Sequence, residues 1–459
     1  MRVGPILASV LVSVAPLCGQ DAAPPATPPA AAESIRGADE QLLKAVRAVA
    51  ERVAGIVETP PTSGVVAVRA DDAVRSVALA AKAAALLPAA VAAARGRAWR
   101  DLGFGSGSGP GDLVAAIAAD LPGMAFDTSG SRLLVDPQRL PDVIVRGDPD
   151  VDPDASIMLA TGVAPDETIA GHYIAHALLD GPPLRGPVTT DAVLARSALA
   201  EGSANLAGLI LLFGGVGLES EVLSGSLRPD QALGGRLVPD TVRSGSPVVA
   251  SLMEFVYLDG FAQAAAVARK GGFRRLAQER AARLTTRDVL HLDRPRLEAA
   301  SIPTPEFPAA LRLSIADRDS LGEQGIVTLV SLLTGKDNLG LIAGDGWVGD
   351  ALWRFERAAP ASQSADEGAT VWVTQWKSDE DAADFVYALE RCLQARFPGE
   401  TLEDDRQRGG RVLRRADRVY RVKATGLSVV MTVATPSIDA NFGPLAKKKE
   451  AVPPQRQHK

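Results

Sequence analysis

His172 and His176 are two of the four histidines in the chain, and they stand four residues apart in the stretch Glu167 to Asp180, ETIAGHYIAHALLD. On a helix this spacing puts both imidazoles about 40° apart around the axis, on one face and within reach of a single ion. That is a metal-ligand geometry. A bare H-x-x-x-H also arises by chance, and two structural histidines without an ion satisfy the same pattern. Glu201 lies 25 residues after His176 in ALAEGSANL, an otherwise apolar helical segment. A carboxylate there is costly to bury unpaired, so it either has a metal or cation beside it or faces the surface.

The elements that must position these groups can be read from periodicity and punctuation. Helical spacing of apolar residues predicts helices over 40–57, 72–97 and 113–121, with a short strand at 65–68 and a Gly/Ser loop at 103–111. Two β-type runs, 123–126 and 132–135, joined through Thr128-Ser129-Gly130, predict a hairpin. The histidine helix is stopped by Gly181-Pro182-Pro183, and a second helix over about 191–213, with Asp191 or Thr190 as N-cap, carries Glu201. The connection 214–247 is too long for an ordinary turn and predicts a lid or a surface excursion. A helix over 248–269 is expected to end at Gly271-Gly272.

A compositional change at Pro303 to Pro308 marks a boundary. Beyond it, one helix over 321–333, strands over 351–357 and 370–375, a helix over 380–397 and paired strands over 411–422 and 428–434 predict a small α+β unit with one helix on an antiparallel sheet. The fold class expected for the whole chain is α+β.

With 459 residues, 46% hydrophobic and 23% charged, the chain has the composition of a globular protein large enough for two domains. A net charge of −6 gives no sign of a nucleic-acid partner. Arg2 followed by the apolar run Val3 to Leu17 resembles a secretory signal peptide, so residues 1–20 are expected to be removed and the protein to be secreted, periplasmic or in the cell envelope. Leu17-Cys18-Gly19-Gln20 is not a clean cleavage site, and Leu17 is larger than lipidation at Cys18 prefers. Residues 21–33 form a Pro/Ala linker, and 443–459 a basic disordered tail. After cleavage Cys392 is the single cysteine, which excludes an internal disulfide. No later stretch reads as long and apolar enough for a bilayer span.

Taken together, four blocks in one order resemble a group of secreted bacterial and archaeal gluzincin-like zinc metallopeptidases. Their motifs H-E-L-x-H-A-L-Q-D-Q, A-L-x-E-G-D-A, P-Y-x-x-G-x-x-F and S-T-E-Q-V-L-H correspond here to HYIAHALLDG, ALAEGSANLA, VYLDGFAQA with GGFRRL after it, and TTRDVLH ending at His291. LGEQG, GDGWVGD and VWVTQWKSDEDAADF also resemble that group, so the likeness runs from about Val65 to Phe397. It implies a mainly helical zincin-like domain over 34–308, a small α+β domain over 309–442, and zinc held by His172, His176 and Glu201, with the glutamate supplied by the next helix.

The departures matter as much as the matches. Tyr173 stands where the resemblance implies the catalytic glutamate, the base that takes a proton from zinc-bound water. A phenol with a free pKa of about 10 is protonated near neutrality and is a poor general base. Ser203 replaces an aspartate, and Leu179 and Gly181 replace glutamines. Asp180 either accepts a hydrogen bond from a ligand imidazole or is an exposed carboxylate. Tyr257 is a packed aromatic or a phenol donor to an oxyanion, and His291 is structural by default. Glu167 points about 140° away from His172 and cannot substitute as base.

These observations lead to a catalytically inactive metallopeptidase-like protein that binds zinc and serves as a binding or structural module for a protein or peptide ligand. The alternatives are an active zinc hydrolase with a non-standard base and a scaffold whose histidines meet no ion.

Overall fold

The computed structural model describes residues 35–36, 40–58, 65–105, 109–118, 124–127, 132–135, 157–158, 160–179, 188–240, 245–281, 285–292, 294–297, 300–357, 367–406 and 408–440. The signal peptide, linker, tail, Asp180 and the 181–183 helix stop predicted from the sequence lie outside them.

The N-terminal part is built on a four-stranded sheet of order β1-β2-β4-β3. After β1 (Ile35–Arg36) comes α1 (Glu40–Val57), whose Val46, Val49, Val53 and Val57 recur at helical spacing and are buried. Strand β2 (Val65–Arg69) pairs in parallel with β1. The helix expected over 72–97 is two helices, α2 (Asp72–Leu86) and α3 (Ala89–Leu102), bent by 66°. Pro88 lies at the break, because its ring excludes the preceding turn and it offers no N–H. α4 (Pro110–Ala118) starts inside the expected loop, since proline suits a first helical turn. β3 (Met124–Asp127) and β4 (Arg132–Val135) pair antiparallel, and β4 lies parallel to β2.

Against this sheet and α1 stand the two helices that carry the candidate ligands, α5 (Pro165–Leu179) and α6 (Thr190–Phe213). The N-cap of α6 is Thr189, whose side chain accepts from Ala192 N at 3.3 Å. Neither Thr190 nor Asp191, the two expected caps, serves; Asp191 instead accepts from Thr286 N and Oγ at 2.8 and 2.7 Å. Where it is described, the 214–247 connection is structured, running mostly exposed over 215–231 and then into the interior. It contains α7 (Glu219–Ser224) and two short 3₁₀ turns, and it buries Val222, Leu233 and Leu237. α8 (Pro247–Glu254), a π-helical turn (Phe255–Asp259) and α9 (Gly260–Ala281) then run on in succession. At Gly271 and Gly272 the backbone leaves helical values, with Gly272 at φ +67°, yet the helix resumes beyond them, so the double glycine is a bend and not an end.

Two helical stretches, Thr190–Val216 and Pro247–Arg280, are long and apolar enough to cross a membrane, contrary to the expectation from the sequence. Most of each apolar window is buried inside the protein.

Following α10 (Thr286–Leu290), which opens on a Thr285–Asp288 capping box, the C-terminal part adds β5 (Leu313–Asp319), α11 (Gly322–Thr334), α12 (Asp337–Gly344), β6 (Trp347–Arg357) and β7 (Gly368–Trp376). The chain continues through α13 (Asp379–Arg396), β8 (Glu403–Asp404), β9 (Arg411–Arg414), β10 (Val419–Thr425), β11 (Ser428–Ala434) and α14 (Pro436–Asp439). Its seven strands form one antiparallel sheet of order β5-β6-β7-β11-β10-β9-β8. The fold is α+β. Three helices, α11, α12 and α13, pack together at this sheet; α11 and α13 match the two helices expected, one of them on the sheet, whereas β5, α12 and the short β8 and α14 were not anticipated.

Buried ion pairs join the two parts. Arg95 of α3 holds Asp317 at 2.9 Å and Asp319 at 3.4 Å, and Asp319 also accepts from Thr190 N and Oγ at 2.7 and 2.8 Å. Arg354 of β6 reaches Asp101 at 2.8 Å. One hydrophobic cluster gathers α1, α5, the second half of α6 and α9. Another joins the first half of α6 to α8, α11, α13 and the sheet. Helix α6 therefore belongs to both.

Candidate metal centre

Because α5 and α6 lie side by side, the face of α5 bearing His172 and His176 is turned toward Glu201 near the middle of α6. The three side chains converge through three atoms. His172 Nε2 and His176 Nε2 are 3.2 Å apart, and Glu201 Oε2 lies 3.4 Å from each. Ligand atoms about 2.0–2.1 Å from a tetrahedral ion lie roughly 3.3–3.4 Å from one another. The observed triangle has the dimensions of one face of such a tetrahedron. Among the described residues these three are the His, Cys, Asp and Glu group able to hold a metal ion.

The shifts of His172 and Glu201 run in the directions a metal site needs. Burial pushes the His172 pKa down, outweighing the Glu201 carboxylate that acts to raise it, so its neutral form is favoured. For Glu201 burial acts to raise the pKa, but His176 and His172 together overcome it and hold the carboxylate well below its usual range. A neutral imidazole and an ionised carboxylate are the forms that bind metal. Side-chain exposure is 1% for His172, 8% for His176 and 13% for Glu201, so among the three the glutamate is the most open to solvent.

Asn205, which sequence reasoning passed over, fixes the tautomer. His172 Nδ1 donates to Asn205 Oδ1 at 2.9 Å, leaving Nε2 with its lone pair directed at the other two ligand atoms. The signal was available in the spacing. Asn205 is four residues beyond Glu201, on the same face of α6.

Tyr173 is buried, its ring edge-on to His172 with centroids 5.1 Å apart and 6.3 Å from the ring of His176. Glu167 accepts from Ala164 N at 3.0 Å and pairs with Arg52 at 3.6 Å, away from the centre as its angular position predicts. Ser203 donates to Leu199 O at 2.5 Å. Tyr257 is a buried aromatic of the second hydrophobic cluster. His291 sits outside the centre, its Nε2 2.7 Å from Glu323 Oε1, linking the end of α10 to α11. Asp180 lies outside the described residues.

Residues 311–442, the C-terminal sheet with its helices, match a family described as a domain of unknown function, DUF8575. No curated protein and no solved structure matches the chain.

Proposed function

We propose that His172, His176 and Glu201 hold a zinc ion and that the protein is a catalytically silent relative of the gluzincin-like metallopeptidases, working outside the cytoplasm as a binding or structural module for a protein or peptide. The observation that carries this reading is the triangle of 3.2, 3.4 and 3.4 Å between three ligand atoms of the right chemical type. Two imidazoles and a carboxylate suit zinc, and three protein ligands leave a fourth position for water, the arrangement of catalytic zinc.

The missing element is the proton acceptor. Zinc, when bound, supplies Lewis acidity and lowers the pKa of its water. This chain's own residues orient His172 through Asn205, keep Glu201 ionised, and place the ring of Tyr173 beside the imidazoles where a carboxylate would be required. The near-complete burial of both histidines further restricts approach of a polypeptide backbone.

Metal analysis of the purified protein tests the first half of the proposal: about one zinc per chain is expected, and none in His172→Ala. Zinc-free wild-type protein prepared without chelators would overturn it. Incubation with a mixed peptide pool tests the second half, with the wild type and His172→Ala expected to be equally inert.

A further inference from the structure

Two blocks that the metal centre leaves unused, GGFRRL after Lys270 and TTRDVLH ending at His291, come together in space. A cavity of about 410 Å³ is lined from both sides of the α9 bend and from residues 288–296. Val267 and Leu292 give it an apolar wall, and Lys270, Arg275, Arg294 and Arg296 surround it with four cations.

The acidic groups cancel only part of this charge. Glu279 is shared by Arg275 and Arg296, and Asp288 is committed to the backbone N–H of Thr285 at 3.0 Å within the α10 cap. Arg294 is anchored from outside the lining by Asp345 at 2.9 Å, and His291 by Glu323 at 2.7 Å. Lys270 has no acidic partner among the described residues. Each guanidinium is thus held by a carboxylate, while the described lining keeps more cations than anions in a chain whose net charge is −6. Fixed guanidiniums with donors in a planar fork are suited to carboxylate and phosphate oxygens. The volume lies toward the small end of ligand cavities, and the apolar wall suits a short carbon body.

We propose that this cavity binds a small organic dianion, carrying carboxylate or phosphate groups on a short aliphatic chain. The site is separate from the metal centre and does not depend on it.

The test is isothermal titration of the full-length protein, at fixed ionic strength, with succinate in one arm and glycerol 3-phosphate in the other. Saturable binding of one or both is expected, the tighter arm identifying the acidic group. Lys270→Ala combined with Arg296→Ala should weaken it at least about tenfold, the scale of losing a charge-assisted hydrogen bond. Lys270→Ala alone, removing an exposed side chain, should weaken it in the same direction without lowering the thermal midpoint. Arg391→Ala on α13 should leave binding unchanged. Absence of saturable binding in both arms would overturn the proposal, as would equal weakening by Arg391→Ala, which would show general charge attraction only.

Discussion

Gly202 and Gly260 meet back to back where α6 crosses the start of α9. A Cβ placed on Gly202 would lie 2.2 Å from Gly260 O, and one placed on Gly260 would lie 2.2 Å from Ala198 O. Both obstacles are main chain and cannot swing aside. The two glycines lie in ALAEGSANLA and VYLDGFAQA, and the first directly follows Glu201. Their contact sets how closely α6 approaches its neighbour, and so where the carboxylate stands.

Gly202→Ala is therefore expected to push the helices apart and destabilise the protein by about 1–3 kcal/mol, the usual cost of overpacking. It should also weaken metal binding although no ligand is altered. Calorimetry with parallel metal analysis checks this; an unchanged midpoint at full zinc occupancy would contradict it.

Under the proposed function, Tyr173→Glu supplies a carboxylate where a general base would stand. Because both histidines are buried and access is restricted, the expected result is retained zinc with peptide turnover still at background. Slow hydrolysis that disappears in the Tyr173→Glu, His172→Ala double variant would show instead that the tyrosine alone silences the centre.

Asp191 is pushed up from 3.8 to about 7, chiefly by burial and despite the hydrogen bonds from Thr286. A carboxyl group with a folded pKa above its unfolded value favours folding while protonated. That contribution is complete below the unfolded pKa and is lost as pH rises through the folded one. Across about pH 5 to 8 the wild type should therefore lose stability with rising pH relative to Asp191→Asn, which keeps an acceptor for Thr286 but does not ionise. Parallel thermal-midpoint profiles for the two proteins would refute this.

Arg95→Ala leaves Asp317 and Asp319 without their guanidinium in a buried setting. A loss of about 3–5 kcal/mol is expected, as for removal of one partner from a buried ion pair. Denaturant unfolding measures it. Since the pair joins the helical part to the sheet, loss of a single shared transition is the further signature to seek.

Local patterns made part of this architecture legible. The spacing of His172 and His176, and the apolar helix around Glu201, are local signals, so their elements could be placed before their convergence was seen. Asn205 was not, because an asparagine in an apolar helix gains meaning only once His172 is known to face it. β5 escaped notice because LSIADRD carries two aspartates that read as surface charge. Both are buried, and Arg95, which compensates them, lies 222 residues from Asp317 in sequence. The double glycine was visible as punctuation, whereas Pro88 was passed over inside a run of alanines that reads as one helix. Whether such residues end a helix or only bend it depends on the packing of the segments they join, here the cores on either side of α9.

Helix α6 is a strut with one foot in each half of the molecule. Its first turn is bolted to the sheet through Thr190 and Asp319, and Glu201 rides roughly 16 Å further along the same rod. Anything that loosened the sheet end would tilt the carboxylate, so under the proposed function the occupancy of the centre should report on a domain it never touches.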